Sequence, residues 1–126
     1  MKQEILTKKA PAPIGPYSQA VKAGGFLFLS GQIALDPVTG VIVSDNVQVQ
    51  IRQVMENIKA VLEQAGLGFD SVVKTTIFLA DMNDFTVVNQ VYGEYFSSLP
   101  PARSTVQVAK LPKGARVEVE MVAVCD

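Results

Sequence analysis

Arg116-Val117-Glu118-Val119-Glu120-Met121-Val122-Ala123-Val124 alternates with period two, and its reading decides the fold. Successive side chains of a strand point to opposite faces. Val117, Val119, Met121 and Ala123 therefore share one face, and Glu118 and Glu120 share the other with Val122 and Val124. A strand that is apolar on both sides needs cover on both. The same holds for Phe26-Leu27-Phe28-Leu29, which follows Gly24-Gly25, a dipeptide suited to the positive φ values of a tight turn. Ser18 to Ala23 and Phe26 to Ile33 read as the two arms of a hairpin, with the second arm central in its sheet.

Upstream of the hairpin, Lys2 to Thr7 suits a short edge strand. Ala10-Pro11-Ala12-Pro13-Ile14-Gly15-Pro16 then makes an extended, ordered loop that delivers Tyr17 and Ser18. Downstream, Asp36-Pro37-Val38-Thr39-Gly40 is a turn, and Asp45 three residues ahead of Gln48 suggests a capping box. Val47, Ile51, Val54, Met55, Ile58, Leu62 and Ala65 follow at spacings of three and four, a helical stripe that Gly66 is placed to end. Val72 to Ala80 returns to strand composition. Asn83 or Asp84 caps a second helix that turns Phe85, Val88, Val91 or Tyr92, and Tyr95 or Phe96 inward and stops at Pro100-Pro101. Arg103 to Ala109 and Arg116 to Val124 complete a β-β-α-β-α-β-β order. That order specifies an α+β sandwich whose two helices cover one face of the sheet. A second copy of the chain is the economical cover for the other face, so a homo-oligomer with inward-facing sheets is expected.

Composition narrows the chemistry. With 126 residues, 48% of them hydrophobic, the chain makes one domain over 1–126. It has no histidine, no tryptophan and a single cysteine, Cys125. Ser-His and Cys-His nucleophile pairs, His-rich zinc sites and CxxC redox pairs are thus closed to it, and no metal ligand set is apparent. Cys125 reads as a small apolar residue at a strand end. Eleven basic against twelve acidic side chains provide no excess for phosphate neutralisation, so no nucleic-acid partner is expected. No apolar run reaches the length of a signal peptide or membrane span; the expectation is a soluble, cytoplasmic protein without membrane association.

Two features carry chemistry. Arg103 stands behind the rigid Pro100-Pro101 pair, and its guanidinium can grip a carboxylate through two parallel hydrogen bonds. Glu118 and Glu120 share a strand face, where a carboxylate can take or hand on a proton. Taken alone, each also fits an ordinary surface charge. Gly31 in a strand interior marks either the close approach of a ligand or the relief of crowding between strands. Ser30 has no base to make it a nucleophile.

Gly15-Pro16-Tyr17-Ser18, Ser30-Gly31-Gln32, Pro101-Ala102-Arg103-Ser104 and Glu118-Val119-Glu120, in this order and with two helices between, resemble the Rid family, also called YjgF, and its RidA branch. The resemblance covers essentially the whole chain. It implies a chorismate-mutase-like α+β fold, a mixed six-stranded sheet with two helices on one face, and a homotrimer packed into a central barrel with a cleft at each subunit interface. The activity it implies is hydrolysis of 2-iminobutanoate and 2-iminopropanoate, products of pyridoxal-phosphate dehydratases, to 2-oxo acids and ammonia, with no cofactor in the deaminase itself. Carried over residue by residue, Arg103 clamps the substrate carboxylate and Glu120 holds water and moves protons. Tyr17, Ser30, Gly31, Asn89 and Thr105 line the substrate, and Glu118 is assigned to structure. Many relatives carry cysteine where this chain has Thr105, so thiol chemistry there is excluded. Three other readings compete: a non-catalytic trimer that binds 2-oxo acids, a chorismate mutase with Arg116 as a second clamp, and the RNA cleavage linked to some relatives, for which this sequence offers little support.

Overall fold

Gly24 and Gly25 adopt φ values of 58° and 82° and fold strand β2 (Ala20–Ala23) back on β3 (Phe26–Gln32), the hairpin that their lack of Cβ permits. The structure, a computed structural model, describes residues 1–125. The remaining strands are β1 (Gln3–Ile5), β4 (Val72–Leu79), β5 (Ala102–Gln107) and β6 (Val117–Val124), in one six-stranded sheet of order β1-β2-β3-β6-β4-β5. All pairings are antiparallel except β4–β5, whose crossover carries a helix over Phe85–Gly93. The sheet is mixed and the fold is α+β.

Helix α1 (Val47–Gln64) buries Ile51, Val54, Met55, Ile58, Val61 and Leu62. These meet Val117, Val119, Met121 and Ala123 of β6 and Leu27 and Leu29 of β3 in one core. The helix starts one residue later than the Asp45–Gln48 spacing suggests. Asn46 is the cap, its side chain accepting from the Val49 N–H at 3.1 Å, while the Asp45 carbonyl accepts from Arg116 Nη1. At the other end Gly66 takes φ 75° and the Leu67 N–H returns to the Leu62 carbonyl, the left-handed stop anticipated from sequence.

Helix α2 (Phe85–Gly93) is shorter than expected. From Glu94 to Phe96 the N–H groups bond to carbonyls three residues back, a tightening of the last turn. Tyr95 and Phe96 still pack on the core, with the Phe96 ring 4.8 Å from that of Tyr92. Cys125 is buried at the end of β6, its N–H donating to the Gly25 carbonyl. No helix among the described residues is long and apolar enough to cross a membrane.

The second face of the sheet is bare. Register places Phe26 opposite Val124 and Phe28 opposite Val122, and Phe26 and Phe28 remain 42% and 47% exposed. An apolar patch running across two neighbouring strands marks a surface made for contact.

Candidate active site

Two clusters form, on opposite faces of the sheet. The first lies on the bare face, where the extended loop before β2 meets β3 and β6 in an open cleft of about 470 Å³. It brings together Tyr17, Ser30, Gly31, Glu118 and Glu120. Gln19, which is fully buried, builds its wall: the side-chain amide donates to the Thr7 and Pro11 carbonyls at 3.0 and 2.8 Å and accepts from the Thr7 N–H at 2.8 Å. The loop is thereby closed on itself. Ser30 Oγ donates to the Ser18 carbonyl at 2.6 Å, tying the loop to β3. That bond occupies the hydroxyl proton and gives Ser30 a structural reason, in keeping with its exclusion as a nucleophile. Tyr17 is about half exposed at the mouth, its hydroxyl accepting from the Ile14 N–H.

Gly31 sits in a β-bulge: Leu29 pairs with Met121 and Gln32 with Val119, so Ser30 and Gly31 on β3 stand against Glu120 alone on β6. Bulges re-aim side chains and cluster at functional sites. The close approach at Gly31 comes from Glu118. A Cβ built on Gly31 would lie 2.8 Å from the Glu118 carboxyl carbon, so the carboxyl rests on the main chain in the space a side chain would fill. Burial, and secondarily the neighbouring Glu120, hold the Glu118 carboxyl above the ordinary carboxylate range. Glu118, assigned from sequence to structure, thus also lines the cleft.

The second cluster lies under α2. Arg103 pairs in register with Thr75, whose hydroxyl is hydrogen-bonded to Tyr92 at 2.7 Å on the helix side of the sheet. Its guanidinium donates to Asn89 Oδ1 at 2.7 Å and lies over the rings of Tyr92 and Phe85, 5.1 and 5.6 Å from their centroids. Amide and rings fix its direction without neutralising it. Among the described residues it has no carboxylate partner. Thr105, two residues on and facing the same way, has a buried hydroxyl with no hydrogen-bond partner. Phe85 and Tyr92 flank the Arg103 guanidinium, a placement sequence reasoning missed by reading them only as core; their spacing of seven on a helix, with Asn89 between, was the available signal.

Arg116 is no second clamp. Its Nη2 bonds both carboxylate oxygens of the nearly buried Asp84, at 2.9 and 3.0 Å, and Nε bonds Oδ2 at 3.2 Å. The pair staples the start of β6 to the start of α2, and it also takes up Asp84, which makes no side-chain bond to its own helix.

The predicted site residues therefore fall into halves: Tyr17, Ser30, Gly31 and Glu120 on the bare face, and Arg103, Asn89 and Thr105 on the helix face. Glu120 pairs across β6–β4 with Thr76, and Arg103 sits on β5 beyond it. Two strand spacings, about 10 Å, and the sheet itself lie between them.

Residues 7–125 match the family model described as "Endoribonuclease L-PSP". The chain is 49% identical over 124 residues to the 2-iminobutanoate/2-iminopropanoate deaminase of Mus musculus, covering 98% of this chain and 92% of that one. Solved structures agree. A Rid-family protein of Yersinia pestis, YyfA, superposes with a TM-score of 0.96 at 51% identity, covering 98% and 99% of the two chains. TdcF of E. coli, solved with bound serine, superposes at 0.93 with 44% identity, covering 98% and 99%. Other relatives are named only for the RutC family or as endoribonucleases. The chain belongs to the endoribonuclease L-PSP family, the Rid/YjgF proteins.

Proposed function

We propose that the protein hydrolyses 2-imino acids, 2-iminobutanoate and 2-iminopropanoate among them, to 2-oxo acids and ammonia. Arg103 carries this reading: a directed, half-buried guanidinium without a carboxylate partner among the described residues is built to receive one from a ligand. The mouse relative named for this deaminase supports it. So does the serine-bound relative, since serine and the imino acids both carry a carboxylate beside the reacting centre.

The substrate carboxylate takes both arms of Arg103, which fixes C2 in position. Glu120, exposed in the cleft, holds the water that adds to C2. Because Arg103 and Glu120 face opposite ways, the working site is completed between copies of the chain, Arg103 from one and the Glu120 cleft from the next. The same contact covers the bare face. The ring number, three, rests on the resemblance to the RidA branch.

The test is the decay of 2-iminobutanoate, generated from threonine by an added dehydratase, above the uncatalysed rate. Acceleration by wild type that is lost in Arg103→Ala supports the reading. No acceleration by folded wild type refutes it.

A further inference from the structure

We infer that Glu118 is a catalytic carboxyl of the cleft, the acid that protonates the imine nitrogen while Glu120 handles the water. The inference rests on the deaminase reading above and assigns a second chemical role within that site.

The geometry comes first. Glu118 and Glu120 are two apart on β6 and line one cleft, about 6.6 Å apart along the strand. Their surroundings differ. Glu120 is open to solvent, while Glu118 is half-buried with its carboxyl pressed on the Gly31 main chain in the space freed by the missing Cβ. Phe78 stands across from it on β4, and Ile14, Leu35 and Pro112 are among the apolar residues that line the cleft with it. The ionisable groups lining the cleft with it are Glu120 and Tyr17, and no lysine or arginine is among the lining residues. On β4, Lys74 stands four pairs away from Phe78, opposite Val122, and bonds Ser104. Arg116 is committed to Asp84. Within the shared site, the Arg103 of a second copy is taken up by the substrate carboxylate. A proton on Glu118 thus has no competing positive charge nearby, and the upward displacement of its acidity by burial and by Glu120 agrees with this. Paired carboxyls whose environments push them apart divide into acid and base.

The steps balance. Glu118 gives its proton to the imine nitrogen, and the C=N π pair moves onto nitrogen as the water oxygen forms its bond to C2. Glu120 takes the proton that the water loses. In the resulting carbinolamine Glu120 passes that proton to nitrogen, the hydroxyl proton goes to Glu118, and the C–N bond breaks with its electron pair on departing ammonia. C2 is left as a ketone, Glu118 protonated and Glu120 ionised, as at the start.

The experiment compares wild type, Glu118→Gln, Gly31→Ala and the double variant in the imine assay across pH, with folding and assembly checked by circular dichroism and gel filtration. Wild-type kcat is expected to fall as pH rises through the Glu118 ionisation. Glu118→Gln should lose about a hundredfold in kcat, within the range of general acid catalysis, and should lose that alkaline limb. The methyl of Gly31→Ala meets the flexible Glu118 side chain, carboxyl and Cγ, so the variant should fold and lower kcat in the wild-type background, and combined with Glu118→Gln it should cost less than the two separate losses multiplied. Carboxyl infrared difference spectra provide a second readout: a protonated band at neutral pH that is absent from Glu118→Gln. Active wild type with kcat and limb unchanged in Glu118→Gln, or with no such band, overturns the role of Glu118 alone. Inactive wild type overturns the deaminase reading beneath it.

Discussion

Two inactive variants should rescue each other when mixed. Arg103→Ala leaves a chain with an intact carboxylate cleft, and Glu120→Gln leaves one with an intact clamp. Arg103 lies on the helix side of the sheet, bonded to Asn89 at 2.7 Å, and Glu120 lies on the bare side two strands away. No rotamer joins them within one chain. If each site takes Arg103 from one copy and Glu120 from the next, a mixed assembly regains a site wherever a Glu120→Gln chain presents its arginine to an Arg103→Ala chain. Co-expression with two affinity tags and purification through both yields assemblies that all contain both chains. In a three-membered ring, whether two-to-one or one-to-two, one contact in three has the correct order. Activity per chain should thus recover to about one third of wild type, against about one half for a closed dimer. The assay is 2-iminobutanoate decay above blank, with each variant alone at background. Mixed assemblies that stay at background would refute the shared site.

Asp84→Ala removes the acceptor of three Arg116 bonds. Since Arg116 remains 41% exposed and can rehydrate, the loss should be about 2 kcal/mol and not that of a fully buried pair, read as a lower urea midpoint at unchanged m-value. A pH signature belongs to Glu118: because the folded state holds this proton more firmly than the unfolded chain does, stability falls as pH rises from the ordinary carboxylate range, about 4.3, through the raised folded value. Urea titrations of Glu118→Gln should therefore gain on wild type with rising pH and converge in acid; parallel curves would contradict the assignment.

The elements were legible where local chemistry decides them. Gly24-Gly25 and Gly66 require backbone conformations that other residues resist. The stripe from Val47 to Leu62 and the alternation from Val117 to Val124 need only one buried face. What could not be read depends on partners remote in sequence. Asp45 and Asn46 are equally good caps until Arg116 takes the carbonyl of the first. Ser30-Gly31 becomes a bulge only against β6, and the reason for Gly31 is the Glu118 side chain some ninety residues later. Parity along Ala102–Gln107 shows that Arg103 and Thr105 share a face, but not which face; that follows from the parallel register of β5 on β4. Hence the motif residues were identifiable while their separation onto the two faces of the sheet was not.

The bare face also links the proposed assembly to the proposed chemistry. Along β6 the outward positions change from Glu118 and Glu120 to Val122 and Val124 over about 20 Å of strand. Phe26 and Phe28 extend the apolar end on β3, whereas the bulge and the Gln19-braced loop shape the acidic end. A copy that docks on the apolar end must overhang the acidic one, since both lie on one continuous sheet. In the proposed assembly, docking would withdraw water from Glu118, which is already half-buried, and so push its pKa further in the upward direction that burial sets in the single chain. In the proposed assembly the contact that hides the phenylalanines would also secure a proton for the carboxyl and bring in the missing arginine. On this proposal, apolar contact, acid and clamp are three consequences of one surface being covered.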